Sequence, residues 1–334
     1  GYNKGCKLLS TLTMPPVDTR AAIRPYAFLL LTVIGIPSNL AICFAFLRAL
    51  RNDRRLLTAD VILCHLTFSN LMLDCTRGIP QTLHTFGYKL MFSDLGCKLI
   101  ILSFRSFRGL SISLTCLLST YQAVVISPAS SKLDTLKSQI PRFLTLTVML
   151  LYVLYFVSCI STAIHGVANL VNNTMLPYTF NIEFCYATFY TFTALFGIGM
   201  AVMMRDLVFI VLMTIMSGYI LLLLYRHSKK VKSIRSSDRA QLGARAEVKA
   251  SRAVVTLVTI YVVFFGIDCV MWLYSISGVW VEPLISDIRM YFTMLYTSVC
   301  PVVIIATNPK VQAKLRVYIP EKTTHSVDTL SSTV

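Results

Sequence analysis

Arg105, Arg108 and Asp268 are charged side chains set inside long apolar runs, and they are the residues of this sequence best placed to do chemistry. A charge in such surroundings is costly, so it faces a protein interior or a wet cavity and engages a partner of opposite sign. Two readings fit. Arg108, with Arg105 three residues before it on the same helical face, anchors an anionic ligand group while Asp268 engages an amine. Alternatively, an ion pair with Asp74, Asp206 or Asp268 holds helices together and touches no ligand. Asp74 and Arg77, also three apart, are expected to form a local pair. Tyr261, Phe264, Phe265, Trp272 and Tyr274, with Tyr291, Phe292 and Tyr296, either line an apolar pocket or are plain packing. No His-Glu-x-x-His, Gly-x-Ser-x-Gly, phosphate loop or Cys-x-x-Cys occurs. The five histidines are scattered without metal spacing, so no catalytic residue, metal or cofactor is expected and the chain is not expected to be an enzyme.

The elements that position these charges follow from composition. Of 334 residues, 55% are hydrophobic and 14% charged, against about 25% charged in a soluble domain. Apolar stretches long enough to cross a bilayer core of about 30 Å occur at 26–47, 57–80, 97–126, 143–165, 200–225, 251–278 and 288–307. The predicted fold is therefore all-α, a seven-transmembrane helix bundle over 26–308, with tails at 1–25 and 309–334. The fifth span has Arg205 and Asp206 near its start, an awkward place for a helix to enter lipid. No cleavable signal peptide is visible before the first span, which is expected to start insertion itself.

Lysine and arginine set the orientation. Twenty lie in the segments that are cytoplasmic if the N-terminus is outside, nine of them between Arg226 and Arg252, and five lie on the facing side. The N-terminus is thus expected to be extracellular and the C-terminus cytoplasmic. The net charge of +16 is explained by this bias, so no nucleic-acid partner is expected. Asn172-Asn173-Thr174 is a glycosylation sequon that falls outside in this topology. Seven of the ten cysteines lie in apolar runs as small hydrophobes, leaving Cys6, Cys97 and Cys185 in or beside polar segments outside.

Seven spans, short loops and a basic third inner loop suggest a G-protein-coupled receptor. Gly35 and Asn39 fit the first helix of the rhodopsin-like pattern. Other positions depart from it: Asn70 stands in the usual acidic slot, Thr120-Tyr121-Gln122-Ala123 replaces Asp-Arg-Tyr, and Cys300-Pro301-Val302-Val303-Ile304 replaces Asn-Pro-x-x-Tyr. These departures resemble those of the vomeronasal type 1 receptors and their fish relatives, the olfactory receptors related to class A. The motifs that carry the resemblance are His65-Leu66-Thr67, Arg77-Gly78-Ile79-Pro80-Gln81-Thr82 and Ser93-Asp94-Leu95-Gly96-Cys97-Lys98-Leu99. They continue with Arg108-Gly109-Leu110-Ser111-Ile112, Thr115-Cys116-Leu117-Leu118-Ser119, Gln122-Ala123, Ile126-Ser127-Pro128 and Leu224-Tyr225-Arg226-His227. The match is dense from 60 to 130, thinner to 265 and weak at both tails. The bitter taste receptors lack the Arg-Gly-Ile-Pro-Gln-Thr run.

The resemblance implies a plasma-membrane chemosensory receptor for small cues such as pheromones, coupled to a heterotrimeric G protein of the inhibitory class. It also implies a Cys97–Cys185 disulfide shaping the ligand entrance, with Cys6 left over. Arg226, His227, Lys229 and Lys230 would then face the G protein, although a basic run beside a membrane also meets anionic lipid simply as charge. A channel or carrier with its charges along a path is the alternative from another class, but no paired halves or broken helices support it. With Cys97 as the outer end of the third helix, Arg108 lies roughly 16 Å deep and Asp268 of the sixth roughly 15 Å, close enough in level to meet.

Overall fold

The computed structural model describes residues 19–51, 57–88, 92–128, 131–169, 178–231, 238–277, 283–307, 311–312 and 315. Seven rods form one bundle. The first is α1 (Thr19–Arg51), and the second joins α2 (Thr58–Leu73), a π-helical turn (Asp74–Gly78) and α3 (Ile79–Thr85). The others are α4 (Asp94–Ile126), α5 (Ser131–Ala163), α6 (Phe192–Val231), α7 (Asp238–Ser277) and α8 (Pro283–Thr307). Among the described residues six of these are, singly, long and apolar enough to cross a membrane. The second reaches that length by running through the π turn. Lipid offers the backbone no partner, so helices that satisfy their own N–H and C=O groups are the natural solution for such a sequence. Buried hydroxyls follow the same rule: Thr67 and Thr115 donate back to the carbonyls of Leu63 and Ser111 at 2.9 and 2.8 Å.

The π turn has a local cause. Pro80 has no N–H, and its ring crowds the carbonyl four residues earlier. The ladder responds by widening, and the N–H of Ile79 donates to the carbonyl of Asp74. This also overturns the expected local pair. Asp74 and Arg77 occupy the widened turn, and no ion pair joins them among the described residues.

The bundle is organised around α4, which packs against α2, α5, α6 and α7. Its most apolar stretch is 67% buried, against 22% in α5 and in α6, so α4 is the axle and those two face outward. Small residues let neighbours approach it. At Gly109 a Cβ would overlap the Tyr155 ring of α5, so only glycine fits there.

At one end of the bundle the α5–α6 loop folds into a small antiparallel sheet. Its strands are β1 (Gly166–Val167), β2 (Thr179–Asn181) and β3 (Tyr186–Thr188), with β3 in the middle. The Cys97–Cys185 disulfide ties it to the start of α4, and Ile182, Phe184 and Phe189 pack beneath it with Ile101 and Ala163.

Several rods run past their expected edges. The first begins at Thr19, not 26, and α5 and α7 begin well before their apolar stretches. The consequential correction is α6, which starts at Phe192, not near 200. Arg205 and Asp206 therefore lie about 20 Å along that helix, inside the bundle and not at a membrane edge.

Candidate functional site

Asp268 sits on α7 facing α4 and α8, and both of its oxygens are taken. Arg108 Nη2 donates to Oδ2 at 2.6 Å, and Arg289 Nε, from α8, donates to Oδ1 at 2.8 Å. The side chains of Asp268 and Arg108 are 12% and 26% exposed, so the pair is screened little by water. One acid thus serves two bases from two helices. Arg108 and Asp268 stand at one level, as the sequence led us to expect, and Asp268 is shared by two arginines.

Beside this triad lies a narrow, tightly packed cleft with a cavity volume of about 20 Å³. Its polar wall is Arg108, Asp268, Ser111 and Thr293, and its apolar wall is Leu73, Tyr261, Phe264, Phe265, Phe292 and Tyr296. Ser111 donates to Asn70 Oδ1 at 2.7 Å, and Tyr296 and Thr115 share a hydrogen bond of 3.0 Å at the cleft floor. Tyr261 meets the Tyr296 ring at 4.1 Å between centroids. Five of the eight aromatics expected at a pocket are therefore there. Tyr291 instead turns to α1 and packs edge-on against Phe28, and Tyr274 is exposed. The side chain of Trp272 lies outside the described residues.

Arg105 is one turn from Arg108. Its Nε is buried and hydrogen-bonds to no described group. Arg205 and Asp206 pair with each other at 2.9 Å, and Arg205 also donates to Ser158 Oγ and lies over the Tyr155 ring at 4.3 Å. Arg77 points into the bundle with Nε and Nη2 at 3.0 and 2.7 Å from Met290 Sδ, a weak acceptor. Its guanidinium stands over the Phe104 and Phe184 rings, and Nη1 has no partner among the described residues.

A second polar assembly closes the sheet end. Arg24 of α1 binds both Glu183 of the loop and, at 2.7 Å, Asp287 of α8. Gln81 of α3 donates to Glu183 at 2.5 Å, with His84 at 3.9 Å. Glu183 holds a left-handed φ of 74°, steadied by Asn181 Oδ1 accepting its N–H at 2.7 Å. Arg289 carries the same signal in the sequence as Arg105 and Arg108, a charge within an apolar run, yet it was not among the expected residues. Glu183 carries no such signal, because an acid in a loop is ordinary.

Arg226, at the far end of α6, is exposed, whereas the side chains of His227, Lys229 and Lys230 lie outside the described residues, as do Asn172 and Cys6. Among the described residues no group of three or more potential metal ligands forms.

Comparison with known proteins agrees with this geometry. The family model described as the vomeronasal organ pheromone receptor family matches residues 23–317. The olfactory receptor class A-like protein 1 of Danio rerio is 37% identical over 300 residues, covering 90% of this chain and 93% of that protein. Vomeronasal type-1 receptor 4 of Homo sapiens is 26% identical over 282 residues, covering 84% and 92%. Among solved structures, squid rhodopsin superposes with a TM-score of 0.66 at 16% identity, covering 91% of this chain and 86% of that one. That likeness concerns the fold alone.

Proposed function

The chain belongs to the vomeronasal organ pheromone receptor family, and on that premise we propose that it takes a small acidic cue into the cleft beside Arg108 and transmits its binding to a heterotrimeric G protein of the inhibitory class. It is a multi-pass chemosensory receptor of rhodopsin-like fold, not an enzyme. In this reading it lies in the plasma membrane with the sheet end outside. The bias of lysine and arginine toward the other end supports that orientation. Asn172 then lies outside as a glycosylation site, and the basic end of α6, from Arg226 through His227, Lys229 and Lys230, faces the G protein.

The observation that carries the reading is the charge balance around Asp268. Arg108 and Arg289 share the one carboxylate of Asp268, and Arg105, one turn from Arg108, has a buried Nε with no partner among the described residues. An acidic cue adds negative charge where arginine is in excess, while an amine would have to compete with two arginines for Asp268. The aromatic wall accepts the rest of a small organic molecule.

The test is guanine-nucleotide exchange on an inhibitory-class G protein, in membranes containing this chain, with matched carboxylates, amines and steroid-like compounds. Carboxylates are expected to raise exchange and amines to do nothing. Arg105→Ala, confirmed at the cell surface, should weaken the carboxylate response roughly 10- to 100-fold, the worth of one charge-assisted hydrogen bond. An amine response that survives Arg105→Ala would overturn the anionic reading.

A further inference from the structure

Arg105 presents a problem that the cue alone does not solve, because the receptor must also be stable before any cue arrives. Its Nε is sealed from solvent and unbonded, while the rest of the guanidinium, also without a bonded partner among the described residues, reaches open space. Arg108 is one turn away on the same face, and Arg289 is also within electrostatic range. The acids nearby are bonded elsewhere: Asp268 to Arg108 and Arg289, and Asp206, which offsets part of the Arg105 charge at a distance, to Arg205. Ser106, the adjacent hydroxyl, spends its proton on the carbonyl of Tyr155. A guanidinium held between helices without a directly paired acid is costly. Water satisfies its N–H groups but leaves the charge.

We propose that a chloride ion is the resident counter-ion of Arg105 in the cue-free receptor. Chloride needs only N–H donors, and the two terminal Nη groups of a guanidinium offer four. It carries negative charge into a region where arginines outnumber carboxylates, and it is small enough to reach a half-buried side chain between packed helices. An acidic cue then arrives by exchange: the anion at Arg105 changes, and the charge balance of the bundle does not.

Both chloride and the cue bring an anion to the same guanidinium, so the test is run without any cue or G protein, and its failure is separate from failure of the receptor reading. The full chain, purified in an uncharged detergent, is heated with a thiol-reactive dye that reports exposure of the buried cysteines Cys43, Cys116, Cys159 and Cys300. Chloride is titrated against gluconate at constant ionic strength. The expected result is a saturable rise in unfolding temperature on the order of 5 °C, the size that ligand binding well above its Kd produces. Arg105→Met, which removes the charge and keeps the bulk, is expected to unfold at one temperature in both anions. Equal curves in chloride and gluconate for the unsubstituted chain, or the same rise in Arg105→Met, would overturn the proposal. Should Arg105→Met not fold, chloride-35 line broadening by the unsubstituted receptor decides: broadening beyond that of empty micelles, competed away by bromide and weaker in Arg105→Lys, supports the site, and its absence refutes it.

Discussion

Asp268 accepts from Arg108 and Arg289 at once, and each guanidinium depends on it for charge compensation. Asp268→Asn preserves the shape and removes the charge, leaving two arginines face to face on α4 and α8. Breaking a buried ion pair by removing one partner costs roughly 3–5 kcal/mol, because the surviving charge stays buried. The expected outcome is loss of surface labelling and a lower unfolding temperature, both largely restored when Arg108→Met is added. If Asp268→Asn alone is as stable as the unsubstituted chain, the acid is not a structural counter-charge. The common level of Arg108 and Asp268 was legible in the sequence, since depths counted at 1.5 Å per residue from Cys97 and from the outer end of the sixth span nearly coincide. The pairing of Asp74 with Arg77 was not. Spacing by three implies a shared face only on an α-helix, and Pro80 had widened that turn. Asp74 instead accepts from Thr297 and, at 3.3 Å, from Asn39.

Whole helices show the same division between what periodicity reveals and what contact decides. Apolar length finds all seven rods, because burying about 20 apolar residues in lipid leaves few alternatives. It does not find where they stop. The α6 helix gains its first turns from Phe192 and Phe196, which stack on each other and continue the helix above the apolar stretch. Nor does hydropathy reveal which rod is central. That role falls to α4 through its row of small residues, where Gly109 admits Tyr155 and Ser111 reaches Asn70. Gly109→Ala tests it directly. The added methyl group would collide with a ring that is fully buried and backed by Phe209, leaving little room to yield. Destabilisation of roughly 1–3 kcal/mol is expected, read as a lower unfolding temperature, with recovery when Tyr155→Leu is introduced on α5. At the opposite end of the bundle Ser127 of α4 and Tyr219 of α6 share a hydrogen bond of 3.0 Å, so α4 is tied to α6 as well as packed on α5.

On the scale of the whole molecule, the sheet end is built as a cover fixed in two ways. The disulfide ties it to α4, and the Glu183 carboxylate ties it to α1 through Arg24 and to α3 through Gln81, while Arg24 reaches on to Asp287 of α8. Glu183 holds its left-handed backbone at a cost on the order of 1–2 kcal/mol, which the surrounding contacts must offset. Two attachments of different kinds suggest different roles. The covalent one sets where the loop sits, and the ionic one sets how tightly it closes. Glu183→Ala separates them, since it removes the carboxylate and leaves the disulfide. Because Arg24 is 27% exposed, solvent screening reduces what the ionic tie is worth, so a modest effect is the physical expectation. Backbone amides of 178–189 should exchange with deuterium about three- to tenfold faster in Glu183→Ala, while those of α4 stay protected. Cys97→Ser should loosen both regions together, because Cys97 and Cys185 are wholly buried among Ile101, Ile182 and Phe184. Unchanged exchange in Glu183→Ala would mean that the disulfide and its apolar cluster hold the cover alone, and that the route to the arginines below is set by packing and not by charge.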